Sequence, residues 1–157
     1  MDRGRLPFLV FRRVDRAMLL NRNQAWEFSL LALCLWREGR GEPYSGKLGI
    51  AWAIRNRVFT HNSWWGSDWE RVILMPWQFS SFNPGDPNSV KFPGDPIQDP
   101  AWAECLAVAE AVYTNSIADP TNGATHYFAA SLHPQPAWAK TAEFKIQLGN
   151  HLFFKAA

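Results

Sequence analysis

The chain has 157 residues, 47% hydrophobic and 19% charged, with a net charge of +2 and a calculated pI near 8.7. That length suits one domain with a real core, and the composition excludes an intrinsically disordered chain. The charge is too thin for the dense basic patch of a nucleic-acid binder, so no nucleic-acid partner is expected.

Residues 1–22 stand apart as a basic N-terminal arm. It holds six arginines (3, 5, 12, 13, 16 and 22) against Asp2 and Asp15, a pattern that allows transient contact with an anionic membrane surface. Its apolar stretch, Pro7–Phe11, ends at Arg12-Arg13 and is too short for a secretory signal. The run Leu30–Trp36 falls far below the roughly 20 residues needed to cross a bilayer. Synthesis in a cytoplasm, as a soluble monomer, is therefore expected.

Residues 23–157 read as a single catalytic domain. Ala25, Phe28, Leu31, Ala32, Leu35 and Trp36 recur at helical spacing, and Gly39 or Gly41 ends that helix. Pro43 suits the first turn of a second helix, continued by Leu48, Ala51, Ile54, Arg55 and Val58 and closed by Asn62. Asp68 caps a short helix to Leu74. Residues 76–100 hold six prolines and two copies of Pro-Gly-Asp-Pro, at 84–87 and 93–96, which predicts a long loop with two tight turns. Asp99-Pro100 opens a further helix with the apolar stripe Cys105, Leu106, Ala109, Val112 and Tyr113, ending near Ser116. A turn at 119–123, a short strand at Thr125–Ala129 and a hairpin over Phe144–Lys155 around Gly149-Asn150 complete the chain. The fold class is mainly α with a small β element (α+β).

Three stretches carry candidate chemistry. In Arg37-Glu38-Gly39-Arg40-Gly41-Glu42-Pro43-Tyr44, two carboxylates sit at a break between helices. One end is anchored by a packed helix and the break leaves a cleft, a suitable seat for an acid/base group. Aromatic surface from Trp36 and Trp52 raises a carboxyl pKa, and Arg37 and Arg40 oppose that; the alternative is a helix end with ordinary surface ion pairs. In Trp77-Gln78-Phe79-Ser80-Ser81-Phe82, polar groups alternate with aromatics as a sugar subsite requires, unless the rings are core. In Gly123-Ala124-Thr125-His126-Tyr127-Phe128, His126 and Tyr127 offer hydrogen bonds to a substrate, although a lone His is more often structural.

Other chemistries have less support. There is no HExxH and no Cys/His cluster at zinc spacing, and His61, His126, His133 and His151 fit no ligand pattern. No metal and no cofactor is expected. Cys34 and Cys105 fall mid-helix, away from the helix N-terminus that activates a thiolate, and read as small buried hydrophobes whose pairing the sequence leaves open.

The string Glu38-Gly39-Arg40-Gly41-Glu42-Pro43, then Gly46 and Asn56-Arg57-Val58, resembles the signature of the cell wall hydrolase family that includes the spore-cortex-lytic germination enzymes. Gln78-Phe79-Ser80, Asp119-Pro120-Thr121 with Gly123-Ala124-Thr125-His126-Tyr127, and Gly149-Asn150-His151-Leu152-Phe153 follow in the family's order, so the resemblance runs from about Trp36 to Phe154. It implies a lysozyme-like fold and lytic transglycosylase activity on peptidoglycan, between N-acetylmuramic acid and N-acetylglucosamine. It implies Glu38 as catalytic residue; Glu42, Gln78, Phe79, Ser80, Thr125, His126 and Tyr127 are expected to bind substrate in the same cleft.

The chain departs from the germination enzymes in lacking a secretion signal and a separate glycan-binding domain, in the Pro-Gly-Asp-Pro stretch, and at His126, where some relatives carry an aromatic ring. These departures suit a phage lysin, made in a host cytoplasm and acting in the periplasm or on the wall. A conventional glycosidase needs two carboxylates, about 5 Å apart if retaining and about 6.5–9.5 Å if inverting, and Glu42 is the nearest second candidate. A transglycosylase needs one. The rival readings are a muramidase using water, a non-catalytic glycan-binding or phage structural protein, and an enzyme cleaving peptide or amide bonds of the same polymer.

Overall fold

The structure is a computed structural model and describes residues 20–60 and 64–156. Four helices carry the core: α1 (Arg22–Gly39), α2 (Tyr44–Thr60), α3 (Trp69–Leu74) and α4 (Pro100–Tyr113). A three-stranded antiparallel sheet follows, β1 (His126–Ala129), β2 (Glu143–Leu148) and β3 (His151–Lys155), in the order β1-β3-β2. The α+β reading is correct. Among the described residues no helix is long and apolar enough to cross a membrane.

The helix boundaries follow local chemistry. Asn21 and Gln24 form a reciprocal capping box at the start of α1. The last two residues of the expected arm thus already belong to the cap and first turn of this helix, while residues 1–19 lie outside the described residues. Asp68 accepts from Arg71 N at the start of α3, and Asp99 accepts from Ala101 N and Trp102 N at the start of α4, where Pro100 sits in the first turn. The last helix stops at Tyr113, three residues before the expected end. Asn115 takes φ 57°, Ser116 N donates to Ala111 O and Asn115 N donates to Val112 O, a left-handed cap that halts the helix.

Leu31, Leu35, Ile50, Ile54, Ile73, Val72, Val108, Val112, Cys34 and Cys105 are fully buried between the helices. Both cysteines are free thiols, and burial pushes Cys105 up to about 12 and Cys34 well above its ordinary value, which makes them inert core residues. Gly49 lets α2 approach the sheet, since a Cβ there would stand 2.5 Å from Cζ of Phe153.

The sheet has two unlike faces. Tyr127, His151 and Phe153 point toward α2, with Phe153 fully buried. Phe128, Phe144 and Phe154 form the opposite face with Trp138. An irregularity between Phe144 and Ile146 shifts the register of β2, so that Phe144 pairs Phe154 on one face while Ile146 pairs Phe153.

Candidate active site

Glu38 lies in the last turn of α1, half-buried, and its Oε1 accepts the backbone N–H of Ser81 at 3.3 Å. Ser81 belongs to a short 3-10 turn (Ser80–Phe82) in the Pro-rich loop and is itself buried. The two flanking arginines turn away from the carboxylate. Arg37 donates to Ser81 O and Lys91 O and lies over the Phe82 and Phe92 rings. Arg40 donates to the Trp36 and Arg37 carbonyls and stacks on Trp36, whose indole N–H donates to Asp99. The Trp36 ring therefore belongs to the contact between α1 and α4.

Arg57 organises the centre of the site. It is buried on α2; its Nε donates to Thr125 O at 2.5 Å and its Nη1 to Gln78 Oε1 at 2.6 Å, with Trp65 and Phe79 rings beside the guanidinium. Burial lowers its pKa from the ordinary arginine value, but a guanidinium stays charged in proteins. This one side chain therefore holds the Gln78 segment and the strand entering Tyr127 against α2. Its neighbour Asn56 donates to Asp119 Oδ2 at 3.0 Å and to Ala124 O at 2.9 Å, while Asp119 accepts from Thr121 N and Gly123 N, closing the turn before β1.

Tyr127 is half-buried on the face turned to α2. Burial pushes its phenol well above the ordinary range, and the Glu38 carboxylate adds to the rise. The hydroxyl stays protonated and presents a donor close to Glu38. Glu38, Arg57, Gln78, Ser81 and Tyr127 thus converge from α1, α2, the long loop and β1.

The other candidates are placed differently. Glu42 serves the hairpin: Oε2 accepts Asn150 N at 2.8 Å, Oε1 accepts Asn150 Nδ2 at 3.2 Å, and His151 Nδ1 stands 3.4 Å from Oε1. Burial draws its pKa up, and the two Asn150 bonds with His151 outweigh that, so the carboxyl lies below its ordinary 4.5. Phe79 is 3% exposed, in the core beneath Arg57, and Ser80 is exposed on the loop. Thr125 joins the site through its carbonyl, while its hydroxyl lies 2.9 Å from His126 Nδ1. Strand alternation turns His126 away from Tyr127 and sets it between Trp65 and Trp138, where burial, with help from Arg57, lowers its pKa to about 4. Among the described residues no group of three or more His, Cys, Asp or Glu could hold a metal ion.

Arg57 and Ser81 tie these elements together, although the sequence reading quotes them only within motifs and not as site residues. Arg57 had a signal, since it falls at core spacing with Ile50, Ala53 and Ile54, and a cation in an apolar stripe needs partners. Ser81 had none, because its contribution is a backbone N–H.

The sequence pattern described as cell wall hydrolase matches residues 41–154, beginning just beyond Glu38. Two solved structures share the fold. The catalytic domain of the germination-specific lytic transglycosylase SleB from Bacillus anthracis is 24% identical, with a TM-score of 0.64 over 87% of this chain and 97% of that one. The catalytic domain of the Bacillus cereus SleB protein is 25% identical, with a TM-score of 0.64 over 82% of this chain and 89% of that one. No curated protein matches the chain.

Proposed function

The chain belongs to the cell wall hydrolase family and is a peptidoglycan-cleaving enzyme, and we propose that it acts as a lytic transglycosylase with Glu38 as its acid/base. The observation that carries this reading is the engagement of Glu42: both of its oxygens face the Asn150 turn, so the nearest second carboxylate in sequence serves the hairpin. Other carboxylates around the site also have fixed partners, Asp119 in its turn and Glu104 on Lys47. A two-carboxylate glycosidase has little to work with here.

One carboxyl suffices when the nucleophile comes from the substrate. Protonated Glu38 gives its proton to the glycosidic oxygen between N-acetylmuramic acid and N-acetylglucosamine as the C1–O bond breaks. The resulting carboxylate then takes the proton of the muramic acid 6-hydroxyl while that oxygen bonds to C1. The product is a 1,6-anhydro sugar, the carboxyl is restored, and no water is consumed. On this reading the Tyr127 hydroxyl and the Gln78 amide orient the sugar, supported by Arg57, which ties Gln78 and the Thr125 carbonyl to α2.

Purified sacculi digested in water enriched in oxygen-18 test this reading by mass spectrometry. Anhydro-muropeptides free of the label are expected. Labelled reducing ends would replace it with a water-using muramidase, and new amino termini with a peptide- or amide-cleaving enzyme.

A further inference from the structure

Trp77 occupies a backbone position that penalises it. Gln78 N donates to Met75 O at 3.1 Å, closing a turn with Pro76 and Trp77 at its centre, and Trp77 takes φ 69°. A turn with proline first and a left-handed residue second ordinarily takes glycine or asparagine there. The other described non-glycine residues with positive φ, Asn115 and Asn122, are asparagines, which tolerate it. Trp77 has no such tolerance, and its backbone is fixed from the far side of the loop, where Asn83 Oδ1 accepts its N–H at 3.1 Å.

The ring gains nothing from the fold in return. It is 84% exposed and has no hydrogen bond or ring contact with a described residue, whereas Phe79, two residues on, is buried. A strained residue that contributes no packing is characteristic of a functional position. Its location fits, because the next residue is Gln78, bonded to Arg57, and Ser81 on the same loop bonds Glu38.

We propose that Trp77 is a stacking platform at the rim of the cleft, its indole face receiving the C–H face of an N-acetylated sugar ring next to the residues joined by the cleaved bond. This rests on the glycan-cleaving reading and adds a specificity-determining residue to it. A flat, rigid, amphipathic ring suits this role, burying apolar sugar surface at little cost in side-chain freedom. The strain is retained because the turn aims the ring outward from a loop tied at both Gln78 and Asn83.

The test separates stability from binding. In full-length Glu38→Gln protein, which holds substrate without turning it over, sacculus binding is measured by co-sedimentation and thermal stability by Tm for Trp77→Ala, Trp77→Gly and Trp77→Phe. The alanine and glycine variants should bind about threefold to tenfold more weakly, and the phenylalanine variant within about twofold of the parent. Trp77→Gly should melt at or above the parent's Tm, because glycine accepts this φ. Unchanged binding in Trp77→Gly, or a Tm drop that accompanies its binding loss, overturns the platform. A Glu38→Gln parent that does not sediment with sacculi sinks the glycan-cleaving reading itself, and the platform with it.

Discussion

Ser81 donates its backbone N–H to Oε1 of Glu38 at 3.3 Å, joining the end of α1 to the 3-10 turn of the Pro-rich loop. The same serine holds a buried hydroxyl with no hydrogen-bond partner among the described residues. An unpaired buried hydroxyl costs about 1–3 kcal/mol, so Ser81→Ala should raise Tm by about 2–12 °C while leaving the backbone bond intact. Calorimetry checks it, and a fall in Tm would mean that the hydroxyl has a partner in solution.

Glu42 latches the Gly149-Asn150 turn onto the helix break 108 residues away in sequence. Glu42→Gln keeps the shape and loses the charge, so it should cost about 1–3 kcal/mol of stability, with activity on sacculi lowered far less than by a change at Glu38. The carboxyl's folded pKa is depressed, so its contribution is complete above its ordinary 4.5 and is lost as pH falls through the lower folded value. Urea denaturation below pH 4.5 should show this loss in the parent and not in Glu42→Gln.

His126 acts in the neighbouring window. Its pKa falls from 6.5 in the open chain to about 4 in the fold. Between those values the unfolded chain binds a proton that the folded chain does not, so the stabilising difference is complete above pH 6.5 and declines toward pH 4. His126→Phe should flatten that slope in a series of melting curves. An unaltered slope would place the titrating group elsewhere.

The elements were legible because their signals are local. Asp68 and Asp99-Pro100 announce helix starts, and the alternation around Gly149-Asn150 announces a hairpin, each within a few residues. The site was legible only in part, for the same reason. Glu38 stands at a visible helix break, but Glu42 meets Asn150, Arg57 meets Thr125 and Asn56 meets Asp119 across long stretches of chain that no period reveals. Strand alternation then divides the neighbours His126 and Tyr127 between two faces, and Phe79 proves to be core although its flanking residues are not.

The first helix cap, Asn21 with Gln24, lies beyond residue 19 and makes the role of the arm testable. A truncation removing residues 1–19 retains the Asn21–Gln24 capping box of α1. We expect it to cleave isolated sacculi as the full chain does, and to lose salt-sensitive binding to vesicles of anionic lipid, toward which each arginine near the surface contributes about 1 kcal/mol. Insoluble truncated protein would instead make the arm part of the fold, with Phe8, Leu9, Val10 and Phe11 in its interior.

Turnover of purified sacculi by Glu38→Gln protein tests the assignment of the acid/base most directly. The substitution keeps an acceptor for Ser81 N–H and removes proton transfer, so the rate should fall by at least about 10²–10⁴-fold with Tm close to the parent's. An active Glu38→Gln enzyme, with Glu42→Gln dead although folded, would contradict the account and move the chemistry to Glu42.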